Sequence, residues 1–308
     1  MSSPSLFGEQ PCISISRYLA RFANALSFKD LPSEVADRDK YLILVALNAS
    51  LVKGLMTNGV GQDDMLFMLH LSAAIIPAVL AVAKKEDSSG AEIIAAKVAG
   101  YDILGKVPLG GPNIVPRFRG VSVFGPFVGA APAGKLLKLN EGEPTTTPGY
   151  TANSASTFAE CWFAGTMGVK FHTNMVSRNG IIAAKKLAEE GAKDAEASLE
   201  DKSGFYQAFA RITAIAAAAT PDLGRRFLIM GTAAKPYLVC GLQQVSGGLV
   251  LTLGKRHDIK GKGVVRILET MPEVEYSIPT SIMPTGLAPT DFGEIVQLLR
   301  CEVATCMK

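Results

Sequence analysis

Apolar positions along this chain recur at helical spacing over most of its length. Ile15, Tyr18, Leu19, Phe22 and Leu26 put one such face on ISISRYLARFANALSF. Leu31-Pro32-Ser33 breaks the pattern, and Pro32 and Ser33 suit the entry to a second helix over EVADRDKYLILVALNASLVKGL. NGVGQDD reads as a turn-like linker. It leads into Met65–Ala83, a stretch with no formal charge that approaches transmembrane length. His70, Ser72 and Pro77 interrupt that stretch, and no comparable second segment accompanies it, so a buried core helix is expected rather than a membrane span. In SSGAEIIAAKVAGYDIL, Ser89 and Glu92 have capping-box spacing, and Ile93, Ile94, Val98 and Tyr101 mark a core face.

The centre of the chain is denser in Gly and Pro. PLGGPNIVPRFRG precedes a small-residue helix in which Pro132 implies a kink or a late start. TTTPGYTANSASTFAECWFAG reads as a loop followed by a short helix. RNGIIAAKKLAEEG is amphipathic and closed by Gly191, and FYQAFARITAIAAAAT reads as a helix stopped by Pro221. Beyond Arg256 the β-branched runs of GKGVVRILETMPEVEYSIP predict one or two strands, and a terminal helix follows over DFGEIVQLLRCEVATCMK. The expected fold is mainly α: a large all-helical domain over residues 1–255, then a small, incomplete α/β lid over 256–308.

Charge and composition narrow the function. Among 308 residues, 31 Lys+Arg face 28 Asp+Glu, a net charge of +3 with no basic block, which argues against a nucleic-acid partner. Apolar residues make up 48% and charged ones 19%, enough for a large core and against disorder. Cys12, Cys161, Cys240, Cys301 and Cys306 are scattered, with no CxxC and no zinc spacing. A disulfide framework or metal site is therefore not expected, and a cytoplasmic location is. MSSPSLFGEQPC lacks a basic start followed by an apolar run, so no secretory signal is expected.

The chemistry-bearing candidates each have an ordinary alternative. His70 lies in the most apolar stretch, where a neutral histidine with one hydrogen bond is the commoner outcome. His172 in GTMGVKFHTN sits beside Lys170 in what reads as a Gly-bounded loop before a helix, a plausible anion site. His257, among Lys255 and Arg256, reads as solvated. Asp63-Asp64 can be charges favouring a helix start, or a general base two turns from His70 if one helix is continuous. Lys235, in TAAKPYLVCG, has small and apolar neighbours, unlike the surface lysines Lys185, Lys186 and Lys202. GVG and GGPN lack the strand–GxGxxG–helix context of a dinucleotide site, and P-loop, GxSxG and HExxH are absent.

Taken in order, LPSEVADRDKYLILVALNASLVKG, HLSAAIIPAVLAVA, SGAEIIAAKVAGYDI, SVFGPFVGAAPAGKLLKL, KFHTNMVSRNGIIAAKKLAEEG and AAKPYLVCG resemble the MmgE/PrpD family. That family includes 2-methylcitrate dehydratases, cis-aconitate decarboxylases and an iminodisuccinate epimerase. The chain looks like a shortened and divergent member. The resemblance covers nearly the whole chain and implies a helical domain with a smaller α/β lid, a homodimer, and chemistry on small polycarboxylates with no metal and no cofactor. His70 falls on the histidine of the HPxxxxxP block and Pro77 on its second proline, with Leu71 in place of the first. Lys235 falls on the lysine of the KPYPxC block, Tyr276 near a lid tyrosine, and His172 on the histidine of the KxLHxG block. The lysine of that block aligns with Val169 or, after a one-residue shift, with Lys170. Of the DxDD motif, Asp63 and Asp64 fit the last two acids, while the first falls on Gly61 or a neighbour. The FHPT-type histidine falls on Arg119.

Lyase or isomerase chemistry on a carboxylated small molecule needs cations for the carboxylates, a base at the α-carbon and an acid for the departing group. The resemblance offers His70, Lys235, Tyr276 and Asp64 as catalytic groups, and Arg117, Arg119, Lys170 and His172 as substrate contacts. Two alternatives are a repurposed cyclase or isomerase of a biosynthetic pathway, and a non-catalytic, truncated paralogue.

Overall fold

The computed structural model describes residues 14–53, 64, 65, 69–110, 114, 117–139, 147–155, 158–160, 168–191, 195, 197–212, 219, 221–235 and 244–259. Among these residues the architecture is mainly α, as the apolar periodicity predicts. The strands expected between residues 260 and 279 and the terminal helix lie outside the described residues, as do Asp63 and Tyr276.

Helix α1 (Ile15–Ala25) buries Ile15, Leu19 and Phe22 on the predicted face, and the Ser14 hydroxyl caps it by accepting the Arg17 amide. A 3₁₀ turn, Phe28–Asp30, leads to α2 (Ser33–Lys53). Helix α3 (Leu71–Lys85) starts later than the charge-free stretch suggests. Asp64 and Met65 form a short strand, β1, and His70 is the N-cap of α3 rather than an interior residue. Uniform apolarity marks burial but does not mark a helix start, so the continuous-helix reading of Asp64 and His70 fails. No helix among the described residues is long and apolar enough to cross a membrane.

Helix α4 (Gly90–Lys106) carries the predicted capping box: Ser89 Oγ accepts the Glu92 amide, and Glu92 accepts the Ser89 amide at 2.8 Å. Every residue from Ala95 to Lys106 is buried, so α4 is the central helix and not merely one-faced. Helix α5 (Gly120–Leu136) contains both Pro126 and Pro132. Three further predictions are corrected. The start of the Thr-rich stretch, read as a loop, forms α6 (Thr147–Asn153), because Pro148 suits a first helical turn; Glu160 is helical too, and the rest of the short helix expected there lies outside the described residues. Helix α7 (Gly168–Glu190) takes in the segment read as a loop around His172, and Gly191 at φ +59° ends it. Helix α8 (Phe205–Ala210) stops at Arg211, whose φ is +58°, so the helix read up to Pro221 is not continuous, although Ala219 is helical again. Helix α9 (Gln244–His257) crosses the 255/256 boundary drawn from composition.

Two features hold the site-bearing ends in place. The first is the close crossing of α5 and α7. A Cβ on Gly180 would lie 2.4 Å from the Pro126 carbonyl oxygen and 2.5 Å from Gly129 Cα, and one on Gly125 would lie 2.7 Å from Val176. The helices meet backbone to backbone because the facing positions are glycine. The second is a buried polar network inside the apolar core. Asp39 of α2 and Lys97 of α4 pair at 3.1 Å, both with almost no exposure. Lys97 lies over the Tyr101 ring, and the Tyr101 hydroxyl shares a hydrogen bond with Ser72 of α3. These contacts tie α2, α3 and α4 at the end where α3 begins.

Candidate functional site

The site residues sit on element ends. Strand β1 (Asp64–Met65) pairs antiparallel with β2 (Ala233–Ala234), in a register that sets Asp64 opposite Ala234 and Met65 opposite Ala233. Lys235 follows directly and is buried. The backbones of Asp64 and Lys235, distant in sequence, thus come near each other, Lys235 standing one place beyond the partner of Asp64. Strand β1 also packs against the start of α3, where half-buried His70 is the N-cap.

Arg119 is the N-cap residue of α5. It is only 2% exposed, and a charge so deeply buried needs partners. One is Thr173 of α7, whose hydroxyl accepts from the Arg119 guanidinium at 3.3 Å. Gly120, next in the chain, lies against Leu69, so the starts of α3 and α5 meet beside His70. His172 is half-buried on α7, one residue before Thr173. Burial, and then the nearby Arg119 charge, hold its pKa below the ordinary histidine value. The lowered pKa favours its neutral, hydrogen-bonding form. Ser177, one turn further along α7, donates to the Ala74 carbonyl at 2.7 Å and fixes α7 against α3.

Arg117 is placed differently. Its guanidinium donates to the Phe209 carbonyl at 3.1 Å and lies over the Phe118 ring, contacts that tie it to α8. Lys170 belongs to the first turn of α7. His257 is exposed at the end of α9. An apolar cavity bounded by Leu19, Ala23, Ile103, Phe127, Ala130 and Leu199 lies between α1, α4 and α5, and no predicted site residue lines it.

The arrangement brings His70, Arg119 and His172 to the converging ends of α3, α5 and α7, with Asp64 in β1 and Lys235 just past β2. Sequence reasoning missed the residues that hold this frame: Arg38, Asp39, Ser72, Lys97, Asp102, Thr173 and Ser177. A lone acid or lysine inside an otherwise apolar helix, as at Lys97 and Asp102, was the available signal. Residues 44–217, more than half of the chain, match the family model of the MmgE/PrpD N-terminal domain. No curated protein matches the chain.

Proposed function

The chain belongs to the MmgE/PrpD family, and from that premise we propose that it acts as a lyase or isomerase on a small carboxylated molecule. The supporting observation is the meeting of the starts of α3 and α5 beside His70, with buried Arg119 bonded to Thr173 next to His172. In this reading Arg119 grips one substrate carboxylate, the planar guanidinium being suited to that geometry, and Lys235 grips a second. The resemblance adds Lys170 as a further positive substrate contact, and His172 orients the first carboxylate by a hydrogen bond.

For a dehydration, His70 takes the proton from the carbon α to a carboxylate, with Asp64 sharing that proton transfer. The released electron pair forms the carbon–carbon double bond, and the β-hydroxyl leaves as water with a proton from Tyr276. The buried cations stabilise the negative charge that develops on the α-carboxylate as the proton leaves. Decarboxylation or isomerisation needs the same cations and the same proton carrier, so the site suits the class and not one member of it. We place the enzyme in the cytoplasm as a homodimer, acting in a specialised biosynthetic pathway.

The test is incubation with 2-methylcitrate, longer alkylcitrates and cis-aconitate, followed by mass analysis of products. Turnover of one of them by the native chain, reduced about 10²-fold or more in Lys235→Ala and Arg119→Met, is the expected result. Turnover unchanged in either variant rejects this site. Absence of turnover with all of them rejects the reaction class.

A further inference from the structure

Lys235 follows a stretch with little regular structure of its own. From Pro221 to Lys235 the chain forms turns, a 3₁₀ helix (Leu228–Gly231) and the two residues of β2. A stretch with so short a ladder relies on other parts of the molecule to satisfy and fix its backbone. Three charged side chains reach it. Lys106 donates to the Pro221 carbonyl. The Leu228 amide, the first of the 3₁₀ helix, donates to Asp102 Oδ1 at 2.7 Å. Arg38 donates to the Thr232 carbonyl, three residues before Lys235.

These side chains come from a rigid base. Asp102 and Lys106 stand one turn apart on α4, Arg38 is on α2, and the Asp39–Lys97 pair locks the two helices together. Asp102 is fully buried, and its second oxygen has no hydrogen-bond partner. A carboxyl group kept in an apolar helix with one oxygen unsatisfied is costly, and a leucine there would suit the helix better. The bond that it does make is to the segment carrying Lys235.

We infer that Asp102 and Arg38 are positioning residues for Lys235, Asp102 fixing the 3₁₀ turn and Arg38 fixing the strand that follows it. The inference rests on the reading of Lys235 as a substrate-gripping cation, but its test does not need turnover. The full-length chain and its Asp102→Ala, Asp102→Asn and Arg38→Met variants are treated with acetic anhydride, and labelling is followed at each lysine by mass spectrometry. Lys97 serves as the buried reference and Lys185 as the exposed one. Asp102→Ala should raise the labelling rate of Lys235 about tenfold, as loss of one buried hydrogen bond predicts, and leave Lys97 unchanged. Asp102→Asn, which keeps an oxygen acceptor for the Leu228 amide, should restore the native rate. On the best substrate found, Asp102→Ala should raise KM as well as lower kcat, and Asp102→Asn should recover both.

An unchanged Lys235 rate in Asp102→Ala, equal gains at Lys235 and Lys97, or no recovery in Asp102→Asn would overturn the inference. Should Asp102→Ala fail to fold, Arg38→Met decides the matter, since its substituted side chain is only half-buried. A raised Lys235 rate there supports the inference and a native rate overturns it. A native chain that turns over none of the substrates defeats the proposed function, and the labelling still judges the positioning.

Discussion

Replacing Gly180 with alanine tests the packing on which the site depends. The new Cβ would meet the Pro126 carbonyl oxygen at 2.4 Å, Gly129 Cα at 2.5 Å and the Ala130 amide nitrogen at 2.6 Å. All three are backbone atoms of α5, so no side chain can swing aside. Restoring ordinary contact requires α5 and α7 to separate by about 1 Å along that line. Overpacking costs about 1–3 kcal/mol, and facing backbones place this site at about 3. Alanine returns ~1 kcal/mol of helix propensity, so the net loss is about 2 kcal/mol. At 2–4 °C per kcal/mol for a protein of this size, Tm should fall by about 4–8 °C. The assay is thermal and urea unfolding followed by circular dichroism. Gly90→Ala is the control, because nothing lies within 4 Å of a Cβ at the exposed first position of α4. It should leave Tm unchanged or slightly raised. Thr173 lies two turns before Gly180, so the separation should also lengthen the Arg119–Thr173 bond and weaken substrate binding. A Gly180→Ala chain as stable as its Gly90→Ala counterpart would refute the close crossing.

Two further outcomes follow from the buried charges. Asp39→Ala should destabilise by about 3–5 kcal/mol in urea unfolding, because it strands the Lys97 ammonium in the core, and the double change Asp39→Leu/Lys97→Met should recover most of that loss. Burial raises the Asp102 pKa from 3.8 to about 7, opposed by the Leu228 amide and by Lys106. Asp222 and Arg226 complete the set of charges around that end of α4. A raised carboxyl favours the fold below its unfolded pKa, and that advantage is lost as pH climbs through the folded value. The stability of the native chain relative to Asp102→Asn should therefore fall by about 4 kcal/mol between pH 4 and pH 8. A flat difference across that range would contradict an Asp102 proton held in the core.

What the sequence could and could not say follows from which signals are local. Helix α1, the capping box of α4 and the Gly191 stop were legible because each depends on residues a few positions apart. The start of α3 was not, since apolar residues on every side leave no periodic edge to read. The first turns of α7 looked like a loop because GVKFHTN has no apolar repeat; its helix is supported by α5 across the glycine crossing. The candidate site divides the same way. His70, Arg119 and Lys235 were found by block resemblance, but the strand register beside Lys235 and the Asp39–Lys97 pair join distant positions. Charges in ADRDK and YDILGK suggest solvent when taken alone, and the fold buries several of them.

Substrate protection of Lys235 bears most directly on whether Arg119 and Lys235 serve one ligand. The native chain and Arg119→Met are labelled with acetic anhydride with and without a saturating tricarboxylate such as cis-aconitate, and Lys235 modification is timed by mass spectrometry. The account predicts that the ligand slows labelling of Lys235 in the native chain and has no effect in Arg119→Met. Labelling of Lys235 at one rate with or without the ligand, or protection that persists in Arg119→Met, would contradict it.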